Sequence, residues 1–211
     1  MNAPTLVLLV VAGAFAIANW ASLGRSTRTL EWATKPAVTA LLVAAACTID
    51  LRQAGVRPWF VAALVLSLIG DVLLMLEPQK FVGGLGSFLL AHIVYVVGFI
   101  AIGVHGPALE ITAVAVVAVT APVARMIMNG VRDRAPELRA PVALYMTVIA
   151  TMVICAGGSE LALGVIGAAT FAFSDSLIAY TRFVQPRREA GVAIMITYHL
   201  GQLGILLSLA K

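Results

Sequence analysis

Eight long apolar stretches follow one another along the chain, at roughly residues 4–22, 36–50, 58–76, 84–104, 107–128, 140–157, 160–180 and 190–210. A helix needs about 20 apolar residues to cross about 30 Å of hydrocarbon, so each stretch predicts a membrane span. The second is short, which leaves seven spans plus a re-entrant or tilted segment as the alternative. Helix-breaking pairs punctuate the pattern at Lys35-Pro36, Arg57-Pro58, Glu77-Pro78, Gly106-Pro107, Ala140-Pro141 and Gly157-Gly158. None of the connections is long enough for a soluble domain. The pattern therefore predicts an all-α polytopic membrane bundle forming a single domain over residues 1–211.

Composition agrees, with 61% hydrophobic and 11% charged residues and a mean hydropathy of +1.01. Charge then orients the spans. Arg25, Arg28, Lys35, Lys80, Arg125, Arg132, Arg134, Arg139, Arg182, Arg187 and Arg188 fall in or beside the loops after spans one, three, five and seven, whereas Arg52, Arg57 and Lys211 fall on the other side. The positive-inside rule puts the first group in the cytoplasm and both termini outside. The net charge of +4 follows from that bias and from contact with anionic head groups, so no nucleic-acid partner is needed to explain it. No basic residue precedes the first span in MNAPTL, so it is expected to stay as a helix. The excess of Arg over Lys and the abundance of Ala and Val suggest a bacterium with GC-rich DNA, and hence the cytoplasmic membrane. Cys47 and Cys155 lie inside spans, where a thiol acts as a small hydrophobe, and they suggest neither a disulfide framework nor a metal cluster.

Polar residues at membrane depth change the picture most. Asp71 lies about five residues before the basic end of span three, and Asp175 about five before the same end of span seven, so both carboxylates are expected at a similar depth and in one polar cavity. Span four presents His92 and Tyr95 on one face with Phe88 and Phe99, and span eight presents His199 and Gln202 with Tyr198 beside them. Tyr145 lies in span six, Lys35 opens span two, and Ser174 and Ser176 flank Asp175. A Tyr or Ser in a membrane helix is most simply an interhelical hydrogen-bonding residue, and Lys35 a snorkelling one that could also reach a phosphate. Aspartate differs, because a charge at depth costs a few kcal/mol and usually faces a cavity or a partner. Spans three and four and spans seven and eight both pair an Asp with a His, which suggests a parallel four-helix duplication.

Two half-buried carboxyls can hold one acid and one base, a pair suited to protonating a substrate and activating water. The same pair suits a proton relay in a small transporter or lipid-binding protein. An intramembrane aspartyl protease fits less well, because Asp71 lacks a Gly-x-Gly-Asp context and no Tyr-Asp pair occurs. Serine-hydrolase elbows, His-Glu-x-x-His and P-loops are absent too.

The order of Lys35-Pro36, Gly70-Asp71, Phe81-x-x-Gly84, Phe88-x-x-Ala91-His92-x-x-Tyr95, Tyr145, Ser174-Asp175-Ser176 and the Tyr198/Gln202 helix resembles the YhhN family, also called the TMEM86 family. The resemblance implies a lysoplasmalogenase-like ether hydrolase, which cleaves the vinyl ether of a lysophospholipid to a fatty aldehyde and glycerophosphoethanolamine or glycerophosphocholine. It implies Asp71 and Asp175 as the catalytic pair, with Lys35, His92, Tyr95, Tyr145, Ser174, Ser176, Tyr198, His199 and Gln202 in binding or supporting roles. The expected partners are the lysophospholipid and the bilayer, with no metal and no cofactor, and a homo-oligomer is left open. The lipid tail is expected between helices and its phosphate toward the basic loops.

Overall fold

The chain reverses direction wherever a helix has been given a reason to stop. In the computed structural model, which describes residues 1–25, 27–76, 80–187 and 189–211, eight helices follow: α1 (Ala3–Gly24), α2 (Arg28–Thr48), α3 (Arg57–Met75), α4 (Phe81–Ile102), α5 (Gly106–Arg134), α6 (Arg139–Gly158), α7 (Ala162–Phe183) and α8 (Ala190–Ser208). All eight are long and apolar enough to cross a membrane. Asn2 caps α1 by accepting the Thr5 amide at 3.0 Å, and prolines open α1, α3 and α5, where a missing N–H costs nothing. The Glu77-Pro78 pair and Arg188 lie outside the described residues.

Two boundaries depart from the sequence reading. The second element is a full 21-residue helix rather than a short or re-entrant segment, and Lys35-Pro36 sits inside it instead of opening it. The apolar window ended at Lys35 because a charge there is costly, but Lys35 has a buried partner in Asp71 and Arg28 lies 5.6 Å over the Trp32 ring, so the helix continues through both. Helix α7 continues through Thr181, Arg182 and Phe183, with Phe183 buried against Phe81. Asp175 therefore lies about two turns from the end of α7 and Asp71 about one turn from the end of α3.

Both termini lie at the same end, opposite the loops rich in arginine. The Lys211 amide donates to the Asp50 carbonyl at 2.9 Å, and the Asn2 side-chain amide donates to the Thr48 carbonyl at 2.7 Å. The two arginines at this end act on helix ends. Arg57 donates to the Ile49 carbonyl at 2.8 Å and to that of Ala46, closing the end of α2, and Arg52 donates to the Ala210 carbonyl at 2.8 Å just past α8.

The tightest helix pair is α7 with α8, and it is built on absent side chains. A Cβ on Gly167 would lie 2.5 Å from the Ile205 amide nitrogen, and one on Gly201 would lie 2.7 Å from the Phe171 nitrogen. In lipid, where no hydrophobic force drives helices together, such close backbone approach is a main source of association. It also sets the register that holds Asp175 of α7 and Tyr198 of α8 in place.

Gly167→Leu is expected to destabilise the fold by roughly 1–3 kcal/mol through overpacking against backbone that cannot yield, read as a melting midpoint several degrees lower in detergent. Gly13→Ala, where nothing lies within 4 Å of the added carbon, should leave the midpoint unchanged. Reporter fusions should place the loop between α5 and α6 in the cytoplasm and both termini outside; a cytoplasmic C-terminus would contradict that orientation.

Candidate active site

Polar residues on the inner faces of six helices fall into two clusters. The first surrounds Asp71, which is 1% exposed. Its Oδ2 accepts from Thr39 Oγ1 and from the Tyr198 hydroxyl, each at 2.7 Å, and its Oδ1 lies 3.5 Å from Lys35 Nζ. Lys35 and Thr39 are four residues apart on α2, so one face delivers both donors. Gln202, one turn after Tyr198 on α8, donates to the Tyr198 hydroxyl at 3.4 Å and accepts from Tyr95 of α4. Four helices are tied to one carboxylate.

The second cluster surrounds Asp175. Tyr145 of α6 donates to its Oδ2, and His92 Nε2 of α4 lies 3.6 Å from the same oxygen. His92 Nδ1 is 2.6 Å from the Phe88 carbonyl. A carbonyl only accepts, so Nδ1 carries the hydrogen, and Nε2 is the nitrogen turned toward the carboxyl group. A bare Nε2 and a carboxylate oxygen would repel, and one proton between Nε2 and Oδ2 would turn the repulsion into an attraction. No hydrogen-bond partner satisfies buried Nε2 otherwise.

An aromatic wall connects the clusters. Phe171 packs on His92 with ring centroids 4.7 Å apart and on Tyr198 at 5.2 Å, and Phe88 meets Tyr198 edge-on at 5.8 Å. A substitution at Asp71 that releases Tyr198 therefore reaches the ring that holds His92.

Asp175 lines a cavity of about 530 Å³ bounded mainly by α4, α5, α6 and α7, along with Tyr145 and Ser176. Asp71 is not among the lining residues, and the wall is almost entirely aliphatic and aromatic. Of the two aspartates expected in one polar cavity, Asp175 alone lines this one, and Asp71 stands in the adjoining cluster behind the aromatic wall. The reason is local: three donors from α2 and α8 enclose Asp71 completely, whereas Asp175 is met by donors on one side only.

The remaining candidates are dispersed. Ser174 donates to the Ile194 carbonyl of α8 at 2.9 Å, and Ser176 to the Ala172 carbonyl of its own helix at 2.8 Å. His199 stands apart from both carboxylates, accepting at Nδ1 from the Trp20 indole of α1 at 3.0 Å. Sequence reasoning missed Thr39 and Trp20; the Lys35-to-Thr39 spacing was the available signal for the first. Among the described residues no three His, Cys, Asp or Glu side chains converge as a metal site requires.

The profile of the YhhN family matches residues 30–209. The human protein named lysoplasmalogenase TMEM86B is 32% identical over 149 residues, a match covering 69% of this chain and 61% of the human protein, so the chain spans less than two thirds of that relative's length. Proteins named lysoplasmalogenase from Mycobacterium bovis and Mycobacterium tuberculosis are each 29% identical over 212 residues, covering 90% of this chain and 80% of theirs. No solved structure matches the chain. The matched region takes in both carboxylate clusters and every helix but the first, and the chain belongs to the YhhN family.

Proposed function

We propose that this chain is a membrane hydrolase that cleaves the vinyl ether of a lysoplasmalogen, or of a related single-chain lysolipid, to a fatty aldehyde and a glycerophospho-alcohol. The observation that carries the reading is the position of Asp175: among the described residues it is the one carboxyl group on the wall of an apolar cavity, held by Tyr145 and faced by His92. The names of the relatives give the substrate class.

The reaction requires a proton on carbon. The proton between Asp175 and His92 is delivered to the vinyl carbon farther from oxygen, and the double-bond electrons form the new C–H bond. The other vinyl carbon becomes an oxocarbenium ion, and the carboxylate left at Asp175 lies beside that cation, much as a glycosidase carboxylate does. Water adds to the cation and loses a proton to the Asp175/His92 pair. The hemiacetal then collapses: its hydroxyl proton leaves, the C–O bond to glycerol breaks, and the departing oxygen takes a proton. The sum is one water consumed, one aldehyde and one alcohol formed, and the acid regenerated. Tyr145 fixes the carboxyl rotamer and donates to it throughout. Asp71 contributes from behind the aromatic wall, as a fixed charge and as the anchor of Tyr198, with Lys35 and Thr39 holding it. Tyr95 and Gln202 extend that anchoring, Ser174 and His199 maintain helix contacts, and Ser176 bonds within its own helix.

Detergent-purified protein should release aldehyde from a lysoplasmalogen, and absence of release from folded protein would leave a proton-carrying transporter or lipid-binding protein as the better reading. Asp175→Asn should lower kcat by about a hundredfold or more, the usual scale for losing an acid-base group, at unchanged thermal midpoint. Folded Asp175→Asn protein with near wild-type turnover would remove the role. Asp71→Asn should differ by also lowering the midpoint, because Lys35 is left buried without its counter-charge. Lys35→Met combined with Asp71→Asn should regain the midpoint without regaining activity.

A further inference from the structure

The cavity beside Asp175 is plugged at the basic end and open along one flank. Phe81, Ile127, Val131, Val142 and Phe183 cluster at the basic end, none more than 8% exposed, and the Arg182 guanidinium lies 4.4 Å from the centre of the Phe81 ring. Gly130 of α5 is so close to α7 there that a Cβ would lie 2.3 Å from the Phe183 carbonyl oxygen. At the other end α5 is pinned to α6, where a Cβ on Gly157 would lie 2.1 Å from Thr112 Oγ1. Between these two pins the exposed residues of the wall fall on two helices alone: Ala115, Val119 and Met126 of α5, and Ala169 and Phe173 of α7. Val119 is 70% and Phe173 55% exposed, whereas the lining residues of α4 and α6 are all buried or half-buried.

We propose that the gap between α5 and α7 is a lateral portal through which a single-chain lipid enters from the bilayer. In this arrangement its hydrocarbon chain lies between the two helices toward Val165 and Thr112, and its polar end is directed to the basic end. A substrate arriving from water would have to displace the five-residue plug. A lipid chain sliding in from the hydrocarbon exchanges one apolar surface for another and meets no such barrier. From Asp175 to Val165 the wall of α7 runs about 15 Å, and Thr112 packed on Gly157 closes the far end, so the length of chain beyond the scissile bond is limited by the fold. The volume of about 530 Å³ is that of a pocket for one small ligand, which favours one chain over two. The chemistry at Asp175 rests on the hydrolase reading, but the portal stands on the geometry of α5 and α7.

The test uses the full chain in nanodiscs and a saturated lysophosphatidylcholine, which lacks a vinyl ether, so binding is read without hydrolysis. Ala115→Cys and Ala169→Cys in a Cys47→Ala background, each labelled with a bulky maleimide after folding, should bind the lipid at least tenfold more weakly and lose kcat/KM on lysoplasmalogen to the same degree. Val114→Cys and Ile166→Cys, exposed but off the cavity wall, should bind as the unmodified protein when labelled. Val165→Phe should shorten the longest chain accepted. Wild-type binding in both labelled portal variants, or equal losses at the control positions, would overturn the portal. Binding that is lost only in the portal variants, with no aldehyde released even by wild type, would uphold the portal and reject the hydrolase.

Discussion

A carboxyl group carried into hydrocarbon has to be answered by donors from other helices, because no water is there to do it. Asp71 shows how much of the bundle that requirement organises. Its oxygens draw Lys35 and Thr39 from α2 and Tyr198 from α8 onto one point of α3, and Tyr198 in turn engages Gln202 and through it Tyr95 of α4. The glycines of α7 and α8 let those helices approach closely enough for this to happen. Loss of Asp71 would thus affect helix positions as well as any charge effect at the site.

Asp175 meets the same requirement incompletely, and this is what makes it chemically interesting. Tyr145 supplies one donor, His92 Nε2 stands 3.6 Å away without a hydrogen bond, and the remaining side faces an apolar cavity. Burial of a group with an unfilled hydrogen-bonding position is costly unless something fills it. In the proposed reaction, a proton held there is the one a vinyl ether needs. On the proposed reading, the two aspartates divide the labour by their surroundings: the enclosed one organises the helices and the open one acts.

The sequence revealed the members of the site better than their arrangement. Asp71, Asp175, His92, Tyr145, Tyr198 and Gln202 stood out because a polar group at membrane depth is expensive, and the eight spans stood out because their length is set by the bilayer. Lys35 was legible as a residue but misplaced, since a charge and a proline together ended the apolar window where α2 in fact continues. Thr39 was invisible as a partner because threonine is ordinary in membrane helices and bonds its own backbone as readily. The cavity was illegible for a deeper reason: Val119 and Phe173 on its rim are the same residue types as those that face lipid everywhere else, and only the packing of α5 on α6 distinguishes them. The separation of the two carboxyls into an enclosed and an open one depends on donors contributed by α2 and α6, which no local motif records.

The central claim is that a fixed acid beside the cavity protonates carbon before water adds. Hydrolysis run in heavy water, with the aldehyde trapped as it forms, tests it directly. The account predicts one deuterium on the carbon next to the aldehyde carbonyl, delivered to a single face because Asp175 stands on one side of the bound chain. An aldehyde with no deuterium at that carbon, or with deuterium spread equally over both faces, would contradict it.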